Sequence, residues 1–337
     1  MKLKVVLSLL VFLATLQVSA GWEPDILGDG YEMRTVDQGS DYSGPVVSTI
    51  IRKLVPDSVG GRRGAMLYVH GFNDYFFNPE LGDEAVGHGY DFYAVDLRRY
   101  GRSIRAGQRL FECRSLKEYF PDIDSALVEI GRGHPAEVVL MGHSTGGLIT
   151  AYYMAQTHNP EVDALVLNSP FLDWNLGWKE RIVPLISWWG KLFPDTRIKQ
   201  GESTAYSESL LADDHGEWRY RTDWKLRRSA DVTAGWVRAI HTAQRSLRGG
   251  KARIDIPILL MYSGESVNEA EWSPRHNRAD GVLDVKDISR YGRELGPDVT
   301  CIQVNGGLHD LFLSTPGLRE KLYARMYAWL ASIPVRK

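Results

Sequence analysis

The sequence predicts an α/β fold in which helices cover both faces of a mostly parallel sheet. The first observation is that short apolar runs alternate with segments of helical periodicity, as expected for parallel strands joined by crossover helices. The second is that these runs are continuously apolar, as strands buried on both faces require. Six runs predict strands: Ala65–His70, Asp91–Asp96, Val138–His143, Ala164–Asn168, Ile258–Ser263 and Val299–Val304.

The remaining elements follow from the same patterns. Before the six strands, Tyr31–Val36 and Val46–Val55 predict an antiparallel pair at the edge of the sheet. Apolar residues at helical spacing predict three helices, within residues 116–130, over Gly147–Ala155 and over Leu318–Ile333. We therefore expect one domain over residues 21–337.

One segment departs from this alternation. Between Asn168 and Ile258, about ninety residues pass without a clear strand, and a structureless loop of that length is uncommon in a compact domain. We therefore expect a helical cap inserted at about residues 170–250. Seven of the ten tryptophans lie there: Trp174, Trp178, Trp188, Trp189, Trp218, Trp224 and Trp236. They fit two roles equally, lining an apolar site or burying the cap against the sheet.

Composition excludes several functional classes. The 337 residues contain 40 Lys and Arg against 42 Asp and Glu, a formal net charge of −2, and neither sign is concentrated in a block. Nucleic acid is therefore not an expected partner, because such binding requires a basic patch. Two cysteines, Cys113 and Cys301, are too few for a disulfide framework, and we expect free thiols. The spacing of Cys and His residues indicates no metal site.

The N-terminus has the three parts of a secretory signal. Two lysines lie in the first four residues, residues 5–16 are almost entirely apolar, and small residues ending at Ala20 fit a signal-peptidase site. The apolar run is short for a bilayer span, which needs about 20 residues. We therefore expect a signal peptide over residues 1–20 and an exported protein, periplasmic or extracellular, that begins at Gly21. An uncleaved membrane anchor is the alternative.

A short glycine-containing motif marks the candidate nucleophile. Gly142-His143-Ser144-Thr145-Gly146 matches G-x-S-x-G, with a predicted strand before it and a predicted helix after it. This is the strand–turn–helix setting that the motif requires. The turn should raise the Ser144 hydroxyl above the sheet, beside a helix N-terminus that stabilises a developing oxyanion. Ser144 is therefore the predicted nucleophile of a serine hydrolase.

Such a serine needs a histidine base, an acid that orients the base, and two amide donors for the oxyanion. His309 follows the last predicted strand in a glycine-rich loop, so chain order predicts it as the base. The expected donors are the amides of Thr145, directly after the nucleophile, and of Phe72, in the loop after an early strand. His70, at the end of that strand, is expected to brace the loop.

Three motifs together carry a family resemblance. His70-Gly71-Phe72, Asp96–Ser103 and Gly142–Gly147 resemble the serine-aminopeptidase-like branch of the α/β-hydrolases, which includes monoacylglycerol lipases and lysophospholipases. The resemblance runs from about Val46 to the C-terminus. It implies an α/β-hydrolase fold with a sheet of about eight strands, a cap after the sixth strand, and ester or amide hydrolysis without a cofactor. Arg99 stands where the family usually has glycine, a change expected to affect a loop beside the site.

The orienting acid has three candidates. In the family it usually stands a few residues after the seventh strand, a position that Val267 occupies here. The family-like pattern resumes at Asp280, as though residues 267–279 were inserted before the acid. We therefore favour Asp280, with Glu265 and Asp284 as the alternatives.

These features predict a carboxylic-ester hydrolase that acts through an acyl-enzyme on Ser144, with a monoacyl lipid or another small ester as substrate. Transient contact of the cap with a membrane surface is a further expectation.

One alternative is a serine aminopeptidase, which needs carboxylates to hold the substrate's ammonium group. The cap offers five of them: Glu202, Glu208, Asp213, Asp214 and Glu217. A non-catalytic binding module is the other alternative, and the intact order of serine, acid and histidine argues against it.

Overall fold

The computed structural model describes residues 21–57, 61–250 and 253–334. The predicted signal peptide, residues 1–20, lies outside these ranges. Among the helices within them, none has both the length and the apolar character needed to cross a membrane.

A nine-stranded sheet forms the centre of the described structure. Its order is β1-β2-β3-β5-β4-β6-β7-β10-β11, and a separate pair, β8 and β9, lies in the cap segment. The strands are β1 (Glu23–Pro24), β2 (Glu32–Asp41), β3 (Gly44–Lys53), β4 (Gly64–Val69), β5 (Tyr90–Asp96), β6 (Val138–His143), β7 (Ala164–Asn168), β8 (Arg197–Ile198), β9 (Val232–Thr233), β10 (Ile258–Ser263) and β11 (Val299–Val304).

Strand directions agree with the predicted sheet. The six strands predicted from apolar runs pair in parallel, from β5 through β4, β6, β7 and β10 to β11. Strands β1, β2 and β3 add an antiparallel edge. The predicted edge pair is present, with different bounds. Strand β2 continues past the predicted end at Val36 to Asp41, and β3 begins at Gly44, before the predicted start at Val46. The mostly parallel α/β architecture is therefore confirmed.

Helices cover both faces of this sheet. They are α1 (Pro79–Gly87), α2 (Phe120–Gly131), α3 (Thr145–Thr157), α4 (Val183–Leu192), α5 (Ala205–Leu210), α6 (Ala234–Leu247), α7 (Val285–Gly292) and α8 (Pro316–Ser332). Side chains of α2, α3 and α6 join one apolar core, and those of α1 and α8 join the other. Helix α1 has no clear helical pattern in the sequence, because only Leu81, Gly82 and Ala85 of this short helix are buried.

The parallel strands place the predicted site residues at one edge. Parallel strands share a direction, so the loops after their carboxyl ends emerge together. Phe72 follows β4, Ser144 follows β6, and His309 follows β11, while Asp280 lies beyond β10. Four loops that are far apart in the chain therefore converge over the same edge.

Arg99, which stands in place of the usual family glycine, anchors a neighbouring loop. Its side chain is fully buried, and its backbone φ is 68°. The guanidinium forms ion pairs with Asp41 at 2.6 Å and Glu118 at 2.8 Å. Arg99 thereby ties the β2–β3 hairpin to the segment before α2, since a buried charge needs such partners.

Candidate active site

The segment around Ser144 is a strained turn between β6 and α3. Ser144 has φ 51° and ψ −117°, outside the regions common for non-glycine residues. A Cβ on Gly146 would lie 2.2 Å from the Val69 carbonyl oxygen, so only glycine fits there. The predicted strand–turn–helix geometry is therefore present, with Thr145 as the first residue of α3.

Three predicted residues form one buried hydrogen-bonded line. The Nε2 atom of His309 lies 2.9 Å from the Ser144 hydroxyl, and its Nδ1 lies 2.8 Å from a carboxylate oxygen of Asp280. None of the three is more than 8 % exposed. When Nδ1 donates its hydrogen to the carboxylate, Nε2 is left as an acceptor for the serine proton.

A loop between β10 and Asp280 places the Asp280 side chain beside His309. The Asp280 amide donates to the Glu265 carbonyl at 2.9 Å, and the Val267 amide donates to the Asp280 carbonyl at 2.8 Å. Residues 267–279 therefore leave the end of β10 and return to it. This is the geometry that the inserted-segment interpretation of the sequence requires.

The two alternative acids have other surroundings. The Glu265 side chain is half exposed and lies 3.7 Å from Arg275. Asp284 caps α7, where its carboxylate accepts the Lys286 amide at 2.9 Å. Of the three candidates, Asp280 is the one that the structure brings to His309.

The predicted oxyanion donors lie beside Ser144. A Cβ on Gly71 would be 3.1 Å from the Ser144 Cβ, which shows how closely the loop after β4 approaches the serine. Within the described residues, no acceptor takes the amide hydrogens of Phe72 and Thr145. Phe72, Ser144 and Thr145 line the same cavity, and two free amides there are the donor set that an oxyanion needs.

His70 braces this loop, as expected. Its Nδ1 donates to the Gly71 carbonyl at 2.8 Å, and its Nε2 accepts the Leu97 amide at 3.1 Å. Burial lowers the pKa of His70, which favours the neutral ring that both contacts require.

A cavity of about 240 Å³ opens above Ser144 and His309. Its apolar lining includes Phe72, Phe171, Trp174, Leu176, Trp236 and Leu283. Its polar lining includes Asn73, Ser203, Ser207, Tyr220, Lys225 and Arg227. A small ligand with an apolar part and a polar part fits such a site.

Comparison with known proteins places the chain in a family. A family model described as serine aminopeptidase, S33, matches residues 60–315, which is most of the chain. The chain belongs to this family. It is an α/β-hydrolase of the branch that contains monoacylglycerol lipases and lysophospholipases, as the three sequence motifs indicated.

Individual relatives of this S33 hydrolase are lipases and a phospholipase. Phospholipase YtpA of Bacillus subtilis (strain 168) is 24% identical over 205 residues, 59% of this chain and 74% of the relative. Two solved structures share the fold. A soluble variant of monoglyceride lipase from Saccharomyces cerevisiae, in complex with a substrate analogue, has 19% identity and a TM-score of 0.66, covering 90% of this chain and 96% of that one. Monoacylglycerol lipase of Paleococcus ferrophilus has 22% identity and a TM-score of 0.62, covering 90% and 100%.

The S33 hydrolase holds its histidine loop with residues that sequence reasoning missed. The side-chain amide of Asn168, at the end of β7, donates to the Asp310 carboxylate at 2.7 Å. The Ser263 hydroxyl, at the end of β10, donates to the Gly307 carbonyl at 2.7 Å. His309 is thus fixed from both sides, and polar residues at strand ends were the only sequence signal for these supports.

A second missed feature joins the cap to the loop that carries Phe72. The side chain of Asn73 exchanges two hydrogen bonds with the backbone of Leu226, both at 2.8 Å. The Lys225 ammonium donates to the Asp74 carboxylate at 2.8 Å, and both side chains are buried. We call this set, Asn73 and Asp74 with Lys225 and Leu226, the cap clasp. It holds the Phe72 amide in place from the cap side.

Among the described residues, one cluster has the spacing of a metal site. Ligand atoms of Asp74, His143 and Asp310 lie within 4.8 Å of one another. The Lys225 ammonium, however, already binds Asp74, and the side-chain amide of Asn168 binds Asp310. Because these carboxylates have protein partners, we interpret the cluster as a buried polar network and assign no ion to it.

The seven tryptophans of the cap divide into three groups. Trp174 and Trp236 line the cavity, with ring centroids 6.0 Å apart. Trp218 and Trp224 pack in a small cluster between the cap and the main domain. Both roles expected from the sequence therefore occur. Three others are exposed, an outcome that was not expected: Trp178, Trp188 and Trp189.

Proposed function

We propose that this S33-family hydrolase cleaves carboxylic esters through an acyl-enzyme on Ser144. The observation that carries the proposal is the buried line from Asp280 through His309 to Ser144, which opens into a partly apolar cavity. A serine, a base and an orienting acid at hydrogen-bond distances constitute the machinery of acyl transfer.

The steps follow from the positions of the atoms. His309 Nε2 takes the Ser144 proton as Oγ attacks the ester carbonyl, and Asp280 stabilises the imidazolium that forms. The amides of Phe72 and Thr145 bind the negative oxygen of the tetrahedral intermediate, and one such donor contributes about 10²–10³ in rate in other enzymes. His309 then protonates the departing alcohol. Water, activated by the same histidine, releases the acid and restores Ser144.

A monoacyl lipid or another small ester is the proposed substrate. The aromatic residues of the cavity offer burial for an acyl chain, and its polar residues offer hydrogen bonds to the alcohol part. The similarity to a phospholipase supports this class. The cavity is small, about 240 Å³, which suits one acyl chain better than two.

The aminopeptidase alternative lacks its expected binding group. Within the described structure, none of the five cap carboxylates lines the cavity. Four pair with arginines and the fifth accepts from a threonine: Glu202 with Arg228, Asp213 with Arg219, Asp214 with Arg227, Glu217 with Arg319, and Glu208 with Thr204. The acidic residue that does line the cavity, Asp74, is already neutralised by Lys225. An ammonium group would therefore find no free carboxylate there.

A labelling experiment with a substrate panel tests the proposal. Wild-type protein should react with a fluorophosphonate probe and hydrolyse p-nitrophenyl esters and monoacylglycerols in preference to aminoacyl anilides. Ser144→Ala should fold, shown by an unchanged circular dichroism spectrum, and should lose both labelling and turnover. Labelling retained in this variant would contradict the assignment of Ser144, and faster anilide cleavage would favour the peptidase.

We also propose that the protein acts after export, outside the cytoplasm. This proposal is supported by the basic, apolar and small-residue pattern of residues 1–20.

A further inference from the structure

The inserted segment before Asp280, residues 267–279, lies against the cap. The rings of Trp272 in this segment and His215 in the cap are stacked, with centroids 3.4 Å apart and planes within 14° of parallel. The side-chain amide of Asn277 donates to the His215 carbonyl at 2.6 Å, and its oxygen accepts the indole hydrogen of Trp272 at 2.8 Å. We call these three residues, His215, Trp272 and Asn277, the acid latch.

The cap side of the latch is a close-packed turn. The His215 amide donates to the Glu208 carbonyl at 3.0 Å. A Cβ on Gly216, the next residue, would lie 2.1 Å from the Leu210 carbonyl carbon, so only glycine fits there. The ring of His215 therefore projects from a backbone that has little room to move.

The other side of the latch leads directly to the catalytic acid. His276, the neighbour of Asn277 in the chain, is 2% exposed. A Cβ on Gly281 would lie 3.2 Å from a ring carbon of His276, so this ring packs against the residue that follows Asp280. The Nδ1 atom of His276 accepts the Ser273 amide at 3.1 Å. A short, packed stretch of chain thus joins the latch to Asp280.

A second cap contact reaches a peptide group that binds the acid. The side-chain amide of Asn175 donates to the Val282 carbonyl at 3.1 Å and to the side-chain oxygen of Asn268 at 3.0 Å. The Val282 amide in turn donates to the Asp280 carboxylate at 2.8 Å. The cap therefore contacts the inserted segment near its start and again just beyond its end.

The inserted segment depends on such contacts for its order. Residues 268–271 are exposed, so this part of the segment contributes nothing to a core of its own. Ordering a backbone costs conformational entropy, which contacts along the segment must offset. The demand is strict at Asp280, because a catalytic group must be held within about 0.5 Å of its productive position.

We propose that the acid latch positions the catalytic acid, so that the cap takes part in assembling the triad. His215, Trp272 and Asn277 are positioning residues that keep Asp280 at hydrogen-bond distance from His309. Of the described residues that line the cavity, none belongs to the latch, so it acts through Asp280 and not on the substrate. The inference rests on the proposed function, because the position of Asp280 matters only if His309 activates Ser144.

Two substitutions remove the ring contact from opposite sides. Trp272→Ala and His215→Ala should each slow fluorophosphonate labelling of Ser144 about tenfold, since a misplacement of about 1 Å can cost up to about 10²-fold. His215 is exposed, so its variant should stay folded, as thermal unfolding will show. On a p-nitrophenyl ester, kcat should fall while KM is unchanged. Both substitutions together should cost no more than either alone, because they remove the same contact.

Hydrogen exchange reports the position of Asp280 without any reaction. Its carboxylate accepts the amides of Val282 and Leu283, which protects both from exchange. In both alanine variants these amides should exchange about two- to tenfold faster, the equivalent of one lost stacked aromatic pair. Mass spectrometry of the peptide that contains them measures this rate.

Two further variants serve as rescue and control. His215→Phe keeps a flat ring for Trp272 and the backbone carbonyl for Asn277, so its labelling and exchange should match those of the wild type. Trp178→Ala removes a tryptophan that is 74% exposed elsewhere in the cap, and it should also behave like the wild type.

The outcomes separate this proposal from the proposed function. Slower labelling with faster exchange in both alanine variants, restored by His215→Phe, supports the latch. Wild-type labelling in both variants would overturn it, and so would slower labelling with unchanged exchange. Failure of His215→Phe to restore labelling would overturn the ring contact as the means of positioning. A wild-type chain that takes the label but cleaves no ester would contradict the proposed function and leave the exchange result standing.

Discussion

Exchanging Asp280 for asparagine probes the acid, the member of the site for which the sequence left three candidates. In the structure, one carboxylate oxygen of Asp280 accepts the amides of Val282 and Leu283, both at 2.8 Å. The other oxygen lies 2.8 Å from His309 Nδ1. The side chain is fully buried, so water cannot replace any of these contacts.

The two backbone amides determine how an asparagine would sit. Both need an acceptor, so the side-chain oxygen of Asn should remain with them and its NH₂ group should face His309. That NH₂ donates, which obliges Nδ1 of His309 to accept and moves the ring hydrogen to Nε2. A protonated Nε2 cannot take the Ser144 proton. The loss in turnover should approach 10⁴-fold, about 5.5 kcal/mol of transition-state stabilisation, the size seen for the same exchange in another triad.

The assay compares kcat of purified variants on a p-nitrophenyl ester, with thermal unfolding as the test of folding. Asp280→Asn should unfold within a few degrees of the wild type, because the exchange preserves size. Glu265→Gln is the control for the exposed acid and should retain full activity. Asp284→Asn should also remain active and lose at most about 1 kcal/mol of stability, because Asn caps helices well.

Two results would refute this reasoning. Activity of Asp280→Asn within tenfold of the wild type would show that His309 does not depend on this carboxylate. An inactive Glu265→Gln would place the acid directly at the end of β10, and the inserted-segment interpretation of residues 267–279 would then be wrong.

Three further predictions concern the cap clasp, the thiols and the N-terminus. Lys225→Met should lower the free energy of unfolding in urea by about 3–5 kcal/mol, because the Asp74 carboxylate stays buried without its partner, and an unchanged midpoint would contradict the clasp. Cys113 and Cys301 are both free, and burial raises the pKa of each thiol. A disulfide-exchange reagent at pH 8 should therefore modify the half-buried Cys301 slowly and the buried Cys113 only after unfolding; finding no thiol in the unreduced, unfolded chain would exclude this. Mass spectrometry of exported protein should find Gly21 first, and an intact Met start would argue for the anchor.

Much of the fold and part of the site were predictable from local patterns. Continuous apolar runs located the six parallel strands, because strands buried on both faces must be apolar throughout. The nucleophile motif and the chain order predicted Ser144 and His309 as a pair, and the structure brings the two side chains within hydrogen-bond distance. These features depend on residues that are close together in the chain, so the sequence shows them directly.

Only the tertiary structure decided which groups meet across the chain. Asp280 reaches His309 because a segment of the chain leaves β10 and returns, and the spacing of residues alone left Glu265 and Asp284 as alternatives. The cap clasp joins groups about 150 residues apart, a contact that no local pattern encodes. The cap tryptophans looked equivalent in the sequence, yet they line the cavity, pack between the cap and the main domain, or face outward. Side-chain environment is set by which elements pack together, and that depends on the whole fold.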